Sequence, residues 1–300
     1  MKDDPRNYLF ESYEKILNHF KPKIFLFENV TGLLSAKLKK KKVIDIIKKK
    51  LGKNYKISND INDLVLNACE YGVPQIRKRV FLIGIRKDIN FDIKKIFKNI
   101  HKTHYTPTST NEEKINKKKY FTVQDAIADL PTLKPGQGQK ISKIKSRKYN
   151  EYLRRVKLAK NTILLDHVAR THNDSDKKRF KEMSKNRWTF EKLLEKKPSL
   201  KHKKQRVFKN SYVVQHWDKP ARTIISHLYK DGNQFIHPDY KQERTLTVRE
   251  AARLQSFSDD FNFFGSRTQQ YKQIGNAVPP LLSEAIATSI KMALKEIKSV

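Results

Sequence analysis

The seven residues Ile24-Phe-Leu-Phe-Glu-Asn-Val30 constrain the fold more than any other stretch of this chain. A short, continuous run of aromatic and aliphatic residues is too brief for an ordinary helix. It reads as a strand buried on both faces, the kind found inside parallel α/β sheets. Leu9, Phe10, Tyr13, Ile16, Leu17 and Phe20 precede it at helical spacing and predict one apolar helix face over residues 7–20, ending at Lys21-Pro22. Residues 38–51 predict a second helix with Gly52 as its stop, and DLVLNACEYG and RVFLIGIR predict two strands joined around Gly72-Val73-Pro74. Residues 1–88 thus read α, β, α, β, β.

A chain of 300 residues with 37% apolar content suits one large domain or two smaller ones. No run approaches the roughly 18 apolar residues of a membrane span, and MKDDPRNYLFESY lacks the basic-then-apolar order of a signal peptide, so a cytoplasmic, nucleoid-associated protein is expected. The single cysteine, Cys69, excludes an internal disulfide framework. No metal-ligand spacing is present, and His101 and His104 read as solvated side chains. Lys+Arg of 65 against Asp+Glu of 31 gives a net charge of +34, which attracts polyanions and points to nucleic acid. The competing reading is that blocks such as Lys39–Lys42, Lys48–Lys50 and Lys117–Lys119 are solvated faces without a partner.

From residue 89 to 243 the sequence is lysine-rich and weakly periodic. Thr122 and Asp125 predict a capped helix start before AIADL, closed by Pro131, and KPGQGQK reads as a flexible loop rather than a phosphate loop. Thr247-Val-Arg-Glu250 is a capping box that opens a helix through AARLQSF, and residues 281–297 predict a last amphipathic helix.

Three constellations carry chemistry. Glu28 stands at the carboxyl end of the expected buried strand, where ligands bind in open α/β sheets; a helix cap or a solvated loop residue is the plain alternative. Alternation along Gln75-Ile-Arg77-Lys-Arg79 predicts a polar fork able to grip a phosphate or a base oxygen; otherwise it is a basic strand flank. Gly275-Asn276 before Val-Pro-Pro280 is a tight turn able to hold a small polar ligand, or simply a turn.

Together these stretches resemble the DNA (cytosine-5) methyltransferases. FENV is similar to the family's Glu-Asn-Val motif and QIRKR to its Gln-x-Arg-x-Arg motif. RTLTVREAARLQSF resembles the motif before the last helix, and QIGNAVPPLL the closing one. The order and spacing match over nearly the whole chain, with Ser258 standing where the family usually has Pro. The resemblance implies the C-terminal part of a Rossmann-like α/β methyltransferase sheet plus a smaller, irregular target-recognition domain. Its parts are expected at 1–95 (rear of the catalytic domain), 96–243 (target recognition) and 244–300 (closing motifs).

The family's Pro-Cys nucleophile motif, which precedes Glu-Asn-Val, and its glycine turn for S-adenosylmethionine are not found in these residues. Cys69 matches a structural part of the second motif and reads as a small buried residue on a strand. By resemblance, Glu28 contacts the target cytosine, Arg79 holds the base oxygen and Arg77 supports the pocket. Asn29 and Gln75 brace it, and Asn276 and Ala277 line the cofactor side. Arg187, Trp188, His216, Trp217 and Arg222 are candidates for groove and phosphate contacts with double-stranded DNA. A separate N-terminal methyltransferase chain and a cognate restriction endonuclease are the further partners implied. The 300 residues alone are expected to be inactive, and a non-catalytic DNA-binding remnant or recognition subunit is the alternative.

Overall fold

A computed structural model describes residues 8–38, 40–143, 149–156, 163–201 and 212–298. Residues 1–7 of the N-terminal stretch and Lys39 of the first lysine block lie outside them. The chain begins α1 (Leu9–Phe20), β1 (Ile24–Val30), β2 (Lys37–Leu38), β3 (Lys41–Lys42), α2 (Val43–Leu51), β4 (Tyr55–Ile57), α3 (Ile61–Leu64), β5 (Val65–Asn67), β6 (Lys78–Arg86) and α4 (Lys94–Lys98). It continues through β7 (His104–Tyr105), α5 (Asn111–Lys114), β8 (Lys118–Lys119), α6 (Val123–Ile127), β9 (Gly138–Lys143), α7 (Glu151–Arg155) and β10 (Ile163–Val168). The last helices are α8 (Asp174–Asn186), α9 (Phe190–Lys196), α10 (Val248–Leu254), α11 (Arg267–Asn276) and α12 (Pro280–Lys298). No described helix is long and apolar enough to cross a membrane.

Two compact units emerge. One gathers the described residues within Met1–Asn67, Lys78–Lys102 and Ser283–Val300; the other gathers Ala68–Arg77 and Thr103–Leu282. They divide the chain elsewhere than at the expected boundaries of 95 and 243, because residues 244–282 pack with the middle region.

The first unit is built on a four-stranded sheet in which β6 pairs with β1 along one edge and with β4 and β5 along the other. Every pairing is antiparallel, so the mainly parallel environment expected for IFLFENV is not formed by the described residues. The doubly buried strand is β6, whose Val80–Leu82, Ile83 and Ile85 are fully buried. By contrast β1 pairs on one edge only among the described residues, and its Leu26 and Val30 are 39% and 51% exposed. Gly84 stands opposite Phe25, whose ring lies where a Cβ would fall, 2.1 Å away, so a side chain there would expel the ring from the core. In α1 only part of the apolar stripe is used. Phe10 and Leu17 enter the core with Ile44, Ile47 and Leu51 of α2, whereas Leu9, Ile16 and Phe20 remain exposed.

The second unit holds a core of Phe180, Met183, Phe190, Leu193, Tyr212, Val214 and Ile236. Both expected capping boxes form, Thr122 with Asp125 at α6 and Thr247 with Glu250 at α10. KPGQGQK is only partly a loop, since from Gly138 onward it belongs to β9, which pairs antiparallel with β10. His104 is buried rather than solvated, with Nδ1 2.8 Å from the Thr103 hydroxyl. Among the described residues no group of acids, histidines or cysteines is arranged to hold a metal ion.

Candidate functional site

Within the first unit the antiparallel register sets Val30 opposite Arg79 and Glu28 opposite Phe81. Glu28 and Arg79 are therefore diagonal neighbours on one sheet face, a separation long side chains can span. Arg79 Nε lies 3.1 Å from Glu28 Oε1, and Arg79 Nη1 donates to the Lys78 carbonyl at 2.8 Å. The guanidinium side chain is 10% exposed and the carboxylate 29%, so the acid is the more accessible of the two. Burial lowers the Arg79 pKa and the Glu28 charge opposes that shift; a guanidinium stays cationic regardless. Asn29 points to the other face by alternation, and its side-chain oxygen accepts from the Val30 amide at 2.8 Å, which fixes the strand end.

Gln75 and Arg77 belong to the second unit and are fully buried. The segment before β6 lies against residues 221–224: Ile76 N donates to Ala221 O, and Ala221 N to Pro74 O, both at 2.8 Å. Gln75 completes that contact by donating to Leu254 O at 3.0 Å and accepting from Ile224 N at 2.9 Å. Arg77 donates to Ile224 O at 2.6 Å and to Gly275 O and Ala277 O at 2.8 Å each. The open polar fork expected from alternation is thus replaced by two braces, because the last carbonyls of α11 lack intrahelical donors and take the guanidinium instead. Gly275 allows this approach. A Cβ there would stand 2.2 Å from Ser226 N, so no other residue fits without moving the backbone.

The α10 motif is a lattice of buried ion pairs. Arg244 grips Glu250 through two bonds of 2.8 and 2.7 Å, and Arg253 grips Asp259 through two of 2.8 and 2.6 Å while also meeting Asp129. Burial opposes ionisation of Glu250, but Arg244 and His237 outweigh it and hold its carboxyl well below the usual range. Arg249 donates to the carbonyls of Leu165, Ser258 and Phe261. Ser258 sits in that turn, half-buried, its hydroxyl turned to Asp260. None of these clamps was read from the sequence. The available signal was the recurrence of arginine in an otherwise apolar helix with acids six residues away.

Cys69 lies in a 3₁₀ turn over Ala68–Tyr71, not on a strand, and is fully buried. Burial, with Glu70 adding to it, pushes its thiol up to about 12, so it carries no thiolate near neutral pH. Of the middle-region candidates, Arg187, Trp188, His216 and Arg222 line one cavity of about 800 Å³, whereas Trp217 lines a separate one of about 300 Å³ beside His237 and Glu250.

S-adenosylmethionine needs a polar cradle for its amino-acid end and ribose. At the end of α11 the Asn276 side chain is exposed, but the Ala277 carbonyl is engaged by Arg77 and Gly275 is closed off by residues 225–226. These residues do not by themselves fit the cofactor.

Residues 1–292 match the C-5 cytosine-specific DNA methylase family. The chain is 36% identical over 313 residues to the type II methyltransferase M.Bpa9945I of Bacillus paralicheniformis, covering 97% of this chain and 66% of that protein. It is 33% identical over 308 residues to the type II methyltransferase M.DdeI of Desulfomicrobium norvegicum, covering 98% and 69%. It therefore spans 66% and 69% of the lengths of these two relatives. A solved structure of a DNA modification methyltransferase described as putative, encoded within a prophage of E. coli, shares the Rossmann-like α/β fold with a TM-score of 0.67 at 22% identity, covering 98% of this chain and 76% of that one.

Proposed function

The chain belongs to the C-5 cytosine-specific DNA methylase family, and on that premise we propose that it is the base-holding and DNA-recognising part of a type II DNA (cytosine-5) methyltransferase. The observation that carries this reading is the Glu28–Arg79 pair, a partly exposed carboxylate near the end of β1 paired with a largely buried guanidinium on β6.

Carbon 5 of cytosine is a poor nucleophile until a group adds to the adjacent ring carbon, and the base must leave the duplex to reach such a group. Addition pushes charge onto the ring nitrogen and the base oxygen. A carboxyl group at Glu28 accepts from the exocyclic amine and favours a protonated ring nitrogen, while Arg79 donates to the base oxygen and fixes the carboxylate. Both act on charge that grows in the transition state. Asn29 holds the strand end on which Glu28 sits. Gln75 and Arg77 are positioning residues that tie the segment before β6 to residues 221–224 and to the end of α11.

S-adenosylmethionine is the methyl donor of this proposal, bound for the most part outside the residues described. The attacking thiol also lies elsewhere, because Cys69 is buried and protonated. The glycine turn and the Pro-Cys motif belong to the complementing part of the enzyme, double-stranded DNA is the substrate, and a cognate endonuclease the associated activity. The charge of +34 supports the DNA assignment.

The test is transfer of tritiated methyl groups from S-adenosylmethionine to duplex DNA. The complemented protein is expected to label cytosine and the 300-residue chain alone to label nothing. Labelling by the chain alone, or none by the complemented protein, contradicts the proposal.

A further inference from the structure

The cavity of about 800 Å³ in the second unit combines an aromatic surface with guanidinium and carboxylate groups. Its floor is aromatic, with Phe190 and Tyr212 stacked at a centroid distance of 4.6 Å and an interplanar angle of 28°. Trp188 forms a half-buried wall, and two guanidinium groups, Arg187 and Arg222, stand at its edge. The wall is rigid for a local reason. Arg187 ends α8 in the left-handed conformation (φ 54°), the Trp188 amide donates to Met183 O at 3.0 Å, and Thr189 caps α9 by accepting from the Lys192 amide. The turn between the two helices is therefore pinned on both sides, and the Trp188 side chain packs, partly buried, against the core of this unit.

The charges are unequally committed. Arg187 is paired with Asp218 at 2.7 Å, and of the two carboxylates lining the cavity Glu195 is taken by Lys192. Arg222, exposed, and Glu191 have no ion pair among the described residues. A planar aromatic surface, one available cation and one available carboxylate match a base that carries an exocyclic amine together with its phosphate. The volume falls within the range of about 300–1,000 Å³ typical of small-molecule sites.

We infer that this cavity binds a nucleotide, with the base against Trp188, its exocyclic amine donating to Glu191, and its phosphate on Arg222. The cavity is lined wholly by residues of the second unit, and binding there is tested without methyl transfer. The same chemistry is offered by a nucleotide of a DNA strand lifted out of its stack and by a free nucleotide. Aromatic stacking of this kind tolerates any base, so selectivity rests on Glu191, which finds an amine on adenine and cytosine and none on thymine.

The chain has two tryptophans, so Trp217→Phe leaves Trp188 as the only reporter. In that variant of the 300-residue chain, dAMP and dCMP are expected to quench Trp188 emission saturably, with dTMP about tenfold weaker. Arg222→Ala should weaken every mononucleotide about tenfold, and Glu191→Ala should erase the preference over dTMP. Both side chains lie at the surface, and circular dichroism checks that the variants stay folded. Quenching by a single-stranded oligonucleotide but by no mononucleotide assigns the site to a DNA strand, and quenching by both admits the free nucleotide as well; either result supports the inference. No saturable quenching by mononucleotides or oligonucleotide, or quenching that Arg222→Ala leaves unchanged, overturns it.

Discussion

Glu28 and Arg79 meet across two antiparallel strands at 3.1 Å, as diagonal neighbours on one sheet face. Replacing the acid by its amide keeps shape and packing but removes the charge proposed to favour a protonated ring. Glu28→Gln in the complemented protein is expected to lower turnover about a hundredfold, the scale of one lost transition-state contact, with duplex affinity unchanged. Equal losses in turnover and affinity would instead mark Glu28 as a DNA-binding residue.

The braces behave differently. Gly275→Ala places a Cβ 2.2 Å from Ser226 N, which should cost about 1–3 kcal/mol and lower Tm by several degrees. Arg77→Ala strips a buried donor from three carbonyls at once and should cost about 3 kcal/mol or more. Thermal unfolding measures both, and a Tm within error of the parent for Arg77→Ala would contradict the bracing role.

Local features were legible in the sequence and long-range ones were not. The periodicity of α1, the stop at Gly52 and the capping boxes at Thr122 and Thr247 depend on neighbours a few residues away. Strand pairing is non-local: IFLFENV and RVFLIGIR look alike as apolar runs, and only the pairing shows that the second is enclosed by partners on both edges. Glu28 and Arg79 were both singled out, yet as separate features, because nothing in either stretch encodes their register. The arginines misled most. Counted with the lysines they suggest DNA contact, whereas Arg77, Arg244, Arg249 and Arg253 are fully buried and tie carbonyls and carboxylates together.

The Glu250 pair sets a pH dependence. Its folded pKa is depressed below the ordinary 4.5, so its contribution to stability is present above about that pH and is lost as the pH falls through the lower folded value. Tm measured between neutral pH and about pH 3 should fall more steeply for the parent than for Glu250→Gln. Parallel curves would show that the pair with Arg244 does not carry this dependence.

Duplex binding should be strongly salt-dependent, each phosphate neutralised adding about 0.9 to the magnitude of the log-log slope. Filter binding or anisotropy across a salt series checks it. A flat response would return the lysine blocks to the role of solvated faces.

Covalent trapping on a duplex with 5-fluorocytosine at the target tests most directly where the reacting groups lie. The account predicts that the complemented Cys69→Ser protein is trapped as fully as its parent, with the bond mapping to the cysteine of a Pro-Cys motif in the complementing part. Trapping of the 300-residue chain alone through Cys69, or loss of trapping in Cys69→Ser, would contradict it.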